Sequence, residues 1–204
     1  MTQASDSSAI QGGLADPVFD AQTVFRRVME AMARPGKIAD VAGLTEPPAP
    51  LSPVVGAIAA TLFDHDTRIW LDQALTRSEA VAGWIAFNTS APMTREALDA
   101  DLAIVSDAAA IPSLESFSQG TQEYPDRSTT VILQIDSLSG GPELFLTGPG
   151  IRDRNSISPA GLPDRFMDQW TANRLRFPRG VDVLLAAPEG VIALPRTVKI
   201  EKGR

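Results

Sequence analysis

A mixed α/β domain, its sheet covered by helices, is the fold class that three observations predict. Segments of helical periodicity alternate with short β-branched runs in the first half of the chain. In the second half, β-rich runs flank glycine-containing turns. The chain has 204 residues, 44% of them hydrophobic, enough for one domain with a full core. No internal repeat or firm domain boundary breaks the pattern.

Each element has its own signal. Residues 1–15 carry neither a basic start nor an apolar h-region, so a disordered lead-in without a signal peptide is expected. In the first helix Asp20 can cap, and Ala21, Val24, Phe25, Val28, Met29 and Met32 recur at three- and four-residue spacing on one face. Arg34-Pro35-Gly36 ends it. After a proline-rich passage, Ser52 and Pro53 suit the N-cap and first position of a second helix through Val54, Ile58 and Leu62. Residues 67–71 (TRIWL) read as a short buried strand. Thr76 and Glu79 form a capping box for a third helix holding Val81, Trp84, Ile85 and Phe87.

Further on, residues 102–105 (LAIV) are a strand and residues 111–117 a short helix behind Pro112. Residues 128–135 (STTVILQI) and 144–147 flank Gly140-Gly141 and read as an antiparallel hairpin. Pro163 starts a helix with Phe166, Trp170 and Leu175. Residues 181–186 and 191–194 flank Pro188-Glu189-Gly190 as a second hairpin. Trp70, Trp84 and Trp170 lie on apolar faces and are assigned to the core.

Composition narrows the chemistry. A net charge of −7 repels nucleic acid and anionic lipid, and no apolar run is long enough to span a bilayer. Neither a nucleic-acid nor a membrane partner is therefore expected. Without cysteine there is no disulfide, thiolate metal site or cysteine nucleophile, and a cytoplasmic location follows most simply. The single histidine, His65, rules out a two-histidine metal site, and no metal is expected. Lysine occurs only at Lys37, in a Pro-Gly turn, and at Lys199 and Lys202 in a polar tail, which serves Schiff-base chemistry poorly. Arginine, 15 of the 18 basic residues, suits planar anion recognition and protein interfaces.

Four stretches stand out. In ELFLTGPGI, Gly148-Pro149-Gly150 ends a strand, with Arg152 and Arg154 close behind. A structural turn is the favoured reading, because glycines reach positive φ and Pro149 removes a donor that an anion nest would use. Ligand or partner contact is the alternative. His65, between Asp64 and Asp66, can act as an acid or merely occupy a turn. Tyr124, Asp126 and Arg127 can line a pocket or order the start of the following strand. Arg179 and Asp182 are placed to pair across a turn.

Taken in order, six segments resemble one family. They are DPVFDAQTVFRRVMEAMARPGKI, LFDHDTRIWLD, QGTQEYPDRSTTVILQI, LTGPGI, GLPDRFMDQWTANRLRFPRGVDVLL and ALPRT. The family is PhnH, a subunit of the bacterial carbon–phosphorus lyase system for phosphonates. The resemblance spans residues 16–198, which makes these a single domain and leaves 199–204 as a polar tail. It implies a three-layer α/β/α sandwich like the large domain of pyridoxal-phosphate-dependent transferases, without the cofactor, and no other cofactor is expected. It implies action with PhnG, PhnI and PhnL, which attach a phosphonate to C1′ of the ATP ribose. It implies a core complex with PhnG, PhnI and PhnJ, and a homodimer in isolation. Because the nucleosidase chemistry is associated with PhnI, no catalytic residue carries over. Two functions remain: a non-catalytic assembly subunit, which the residue inventory favours, and a nucleotide- or phosphonate-binding subunit that contributes directly to ribosyl transfer.

Overall fold

The computed structural model describes residues 11–203. Five strands form the main sheet in the order β1-β2-β3-β6-β7: β1 (Ile69–Leu71), β2 (Leu102–Val105), β3 (Thr130–Gln134), β6 (Asp182–Ala187) and β7 (Gly190–Leu194). The first four run parallel and β7 closes the edge antiparallel. A second, antiparallel sheet has the order β5-β4-β8, with β4 at Leu144–Thr147, β5 at Asn155–Ile157 and β8 at Lys199–Lys202. The fold is mixed α/β with a mixed main sheet, as the sequence predicts.

Strand alternation divides the core in two. Ile104, Ile132 and Leu184 face helices α1 (Pro17–Ala33), α2 (Pro53–Leu62) and α4 (Glu79–Thr89), where Val24, Ile58 and Trp84 are fully buried. Val105, Val131, Leu133, Val183 and Leu185 face the opposite layer. That layer contains helix α5 (Phe166–Arg174), the small sheet and the buried rings of Phe117, Phe166 and Trp170. A four-residue helix, α3 (Gln73–Thr76), bridges β1 to α4.

The expected hairpin between residues 128–135 and 144–147 does not form. Val131, Ile132 and Leu133 are buried on both faces, which suits a central parallel strand. In β4 burial alternates, which suits a half-covered antiparallel strand. The second expected hairpin forms as β6–β7, in the register Val183↔Leu194.

Several ends differ in detail. Asp16, rather than Asp20, caps α1: its carboxylate accepts from the N–H groups of Val18 and Phe19. Asp20 reaches back to the Asp16 N–H at 2.8 Å, completing a reciprocal box around Pro17. Phe25 and Met29 lie about half exposed beside the buried face of α1. Ser52 caps α2 as expected. Thr76 ends α3 instead of opening α4, because its hydroxyl donates to the Leu71 and Asp72 carbonyls, and Ser78 caps α4.

Residues 111–117 make only a 3₁₀ turn at Leu114–Ser116, since Pro112 keeps Ile111 out of the helical region, at ψ 127°. Helix α5 starts at Phe166, and Leu175 lies beyond its end, 80% exposed. Trp70 is only partly buried, edge-on to Phe117. Lys199–Lys202, expected in a polar tail, is strand β8, held because Ile200 is buried opposite Leu146. Of the expected lead-in, residues 1–10 lie outside the described residues. Gln11 and Gly12 are tied down by bonds from the Trp84 indole and the Glu46 N–H.

Candidate functional site

At the N-terminal ends of β3 and β6, one arginine collects several of the singled-out residues. Arg196 lies two residues past β7. Its Nε is 3.1 Å and its Nη2 2.5 Å from the Asp182 carboxylate, a bidentate geometry. Nη1 donates to the Pro125 carbonyl at 2.6 Å, Nη2 also to the Ser128 hydroxyl, and the backbone N–H to Asp182 at 2.7 Å. The two side chains are only 12% and 14% exposed.

Arg179, expected to pair with Asp182, is exposed and makes no ion pair among the described residues. Asn173 dictates this. Its amide brackets the N–H and C=O of Val181, so Asp182 is delivered into β6 facing Arg196. Next door, the Arg127 guanidinium lies 4.3 Å over the half-exposed Tyr124 ring, and Asp126 is exposed in the same 3₁₀ turn. Tyr124, Asp126, Arg127 and Asp182 therefore share one corner, organised by a residue the sequence reading passed over. The signal was in the β6–β7 hairpin, whose register puts residue 182 beside residues 195 and 196.

A second assembly surrounds the glycine turn. Gly148 and Gly150 have φ of 141° and 81°, and the Ile151 N–H closes the turn onto the Gly148 carbonyl at 3.1 Å. A Cβ on Gly150 would stand 2.1 Å from the Ala33 carbonyl oxygen, and one on Gly148 3.2 Å from that of Thr197. The turn is thus clamped between the C-terminal end of α1 and the segment leading into β8. Gly36, at φ 89°, meets Leu146 and Asn155 from the other side, and the Asn155 amide donates to the Pro35 carbonyl at 2.7 Å. Two turns 114 positions apart interlock, and their close approach requires the glycines.

Each side of the turn lines a depression. Pro149 borders a pocket of about 280 Å³ with Arg174, Phe177 and Arg196. Gly150 and Arg152 border a cleft of about 420 Å³ with Arg34, Lys37, Asn155 and Ser156. Lys37 and Arg34 both reach Glu30, at 2.6 Å and 3.4 Å. The bond from Lys37 holds the Glu30 carboxyl below its usual range. Arg154 is not part of this cleft: its guanidinium lies 3.9 Å over the Phe145 ring.

His65 stands apart on an exposed turn, 3.3 Å from the Asp66 carboxylate. The Thr67 hydroxyl and the Asp66 N–H donate to Asp64, lowering its pKa and shaping that turn. The C-terminal ends of the parallel strands, where α/β sheets commonly bind ligands, border a cleft of about 470 Å³ that the sequence reading did not identify. Two of the polar groups in and behind it are engaged in the fold. Gln134 accepts from the Ser52 N–H and donates to Pro50 and Ser106, while the buried Asp72 behind it accepts from Ser106 and Leu75.

No three metal-ligating side chains gather among the described residues. No helix among them is long and apolar enough to cross a membrane. What the two arginine-bearing assemblies show is electrostatic pairing and rigid positioning of strand ends and turns.

Comparison with known proteins covers nearly the whole chain. The family model for PhnH, the bacterial phosphonate metabolism protein, matches residues 12–201. A relative from Rhizobium meliloti (strain 1021), named alpha-D-ribose 1-methylphosphonate 5-triphosphate synthase subunit PhnH, is 48% identical over 198 residues, covering 97% of this chain and 98% of its own. Another, from Stutzerimonas stutzeri, carries the name "Putative C-P lyase subunit protein HtxG" and is 28% identical over 181 residues, covering 88% and 85%.

Proposed function

Since the chain belongs to the PhnH family of bacterial phosphonate metabolism proteins, we propose that it is the PhnH-type subunit of a carbon–phosphorus lyase core complex. In this reading it works with PhnG, PhnI and PhnL to form ribose 1-phosphonate 5-triphosphate from ATP and a phosphonate, in the cytoplasm. The observation that carries the proposal is 48% identity along essentially the full length of both chains.

Its part is assembly rather than catalysis. The strongest polar constellation, Asp182 with Arg196, is consumed in holding strand ends together, and His65 stands exposed on a turn. Tagged protein is expected to co-purify with PhnG, PhnI and PhnJ homologues in stoichiometric amounts, and recovery of the tagged chain alone from cells making all four would refute the proposal. In isolation the chain is expected to be a homodimer, which the exposed Phe25 and Met29 on α1 support. Light scattering should then give twice the 21.7 kDa chain mass, and a monomer at every concentration would count against it.

The layered main sheet is consistent with a sandwich of the pyridoxal-phosphate-transferase kind, but the lysines do not fit that cofactor. Lys37 is paired with Glu30 at the surface, Lys199 is paired with Glu201 on β8, and Lys202 is exposed on the same strand. Lys202 borders a cavity of about 370 Å³ lined by Leu144, Leu162, Phe166 and Met167 but is itself exposed, so none of the three is a buried lysine of the kind that forms an internal imine. A second reading, in which the subunit itself holds a phosphorylated ligand, is favoured by one feature: the basic cleft beside Gly150.

A further inference from the structure

The cleft between the two interlocked turns concentrates positive charge on a chain whose net charge is −7. Arg34 and Lys37 enter from the end of α1, and Arg152 from the turn after β4. Glu30 neutralises one of these three cations, and the C-terminal end of α1 offsets about half a charge more. A surplus above one positive charge remains. Arg152 has no ion-pair partner among the described residues, and Asp153 does not line the cleft. The Asn155 amide and Ser156 supply neutral polar groups at the same rim.

Helix-end compensation alone accounts for Arg34 and Lys37. It does not account for an arginine brought from 118 positions away onto the same cleft. We propose that this cleft is an anion site for the phosphoryl or phosphonyl group of a small-molecule ligand, gripped by Arg34, Lys37 and Arg152. Guanidinium forks match tetrahedral oxyanions through paired N–H donors, and the ammonium adds a point charge. The glycines let the two backbones approach closely enough for these side chains to share one opening. The choice of a triphosphate-bearing ligand rests on the function proposed above, whereas the site itself rests on the geometry.

The test is calorimetric titration of the full chain with inorganic triphosphate at low salt, then with ATP in competition. Saturable binding of one triphosphate per chain is expected, with ATP displacing it. Arg152→Ala and Lys37→Ala should each weaken binding about tenfold or more, while Arg77→Ala, at an exposed site outside the cleft, should leave it unchanged. Unaltered melting temperatures would show that the variants are folded. The proposal is overturned by absence of saturable triphosphate binding, by equal affinity in Arg152→Ala, or by equal loss in Arg77→Ala. ATP binding without triphosphate binding would overturn it too, because recognition would then lie with the nucleoside. A chain that joins the complex yet binds no triphosphate defeats the cleft alone, and one that binds triphosphate but joins no complex defeats the assembly reading alone.

Discussion

Gly150→Ala is expected to destabilise the protein by about 3 kcal/mol, one of the two largest single-site effects anticipated. Two penalties combine. A side chain at φ 81° is strained wherever it stands, and here its Cβ would also sit 2.1 Å from the Ala33 carbonyl oxygen. That neighbour is backbone at a helix end and cannot swing aside, so either the turn or the end of α1 must move. For a chain of this size the melting temperature should fall by about 6–12 °C. Gly148→Ala should cost less, about 1 kcal/mol, because its nearest neighbour is 3.2 Å away. Arg152→Ala, which leaves the turn intact, should be close to neutral. Thermal melts of the three variants give the answer: equal stability of Gly150→Ala and wild type would mean that the turn is not clamped on α1.

Arg196→Met should have a comparable effect, again about 3 kcal/mol. The substitution keeps the apolar stem and removes the guanidinium. It leaves the Asp182 carboxylate, only 14% exposed, without its counter-charge, and the Pro125 carbonyl without a donor. The double variant Arg196→Met/Asp182→Ala should then cost less than the sum of the two single changes, because the unpaired carboxylate is gone. Urea denaturation of the cycle measures this. Strict additivity would show that the two side chains act independently, contrary to the geometry.

The same two places show how far the sequence could be read. Gly148-Pro149-Gly150 was legible as a turn, because glycine and proline have local meaning wherever they occur. Its partner was not legible, since nothing local to LTGPGI points to the RPGK turn 114 positions earlier. Likewise Asp182 was recognisable as half of an ion pair, but Arg179, three residues away, looked like the natural partner. The choice of Arg196 depended on Asn173 gripping Val181 and on the β6–β7 register.

By itself the sequence determined whatever short-range physics governs: the existence of α1, α2, α4 and the β6–β7 hairpin, the stops at proline and glycine, and the absence of cysteine chemistry. Its ordered motifs also determined the family, because six segments in register along one chain rarely recur by chance. The tertiary structure decided what depends on long-range burial. It placed β3 at the centre of a parallel sheet and β4 in a separate one, since a run such as TVILQ satisfies hairpin and parallel pairing equally until its neighbours cover both faces. It made β8 from the expected tail, because Ile200 has an apolar surface to cover only once β4 is in place. And it drew Arg34, Lys37 and Arg152 around one cleft, a convergence of charges fixed by the docking of two turns and carried by no local pattern.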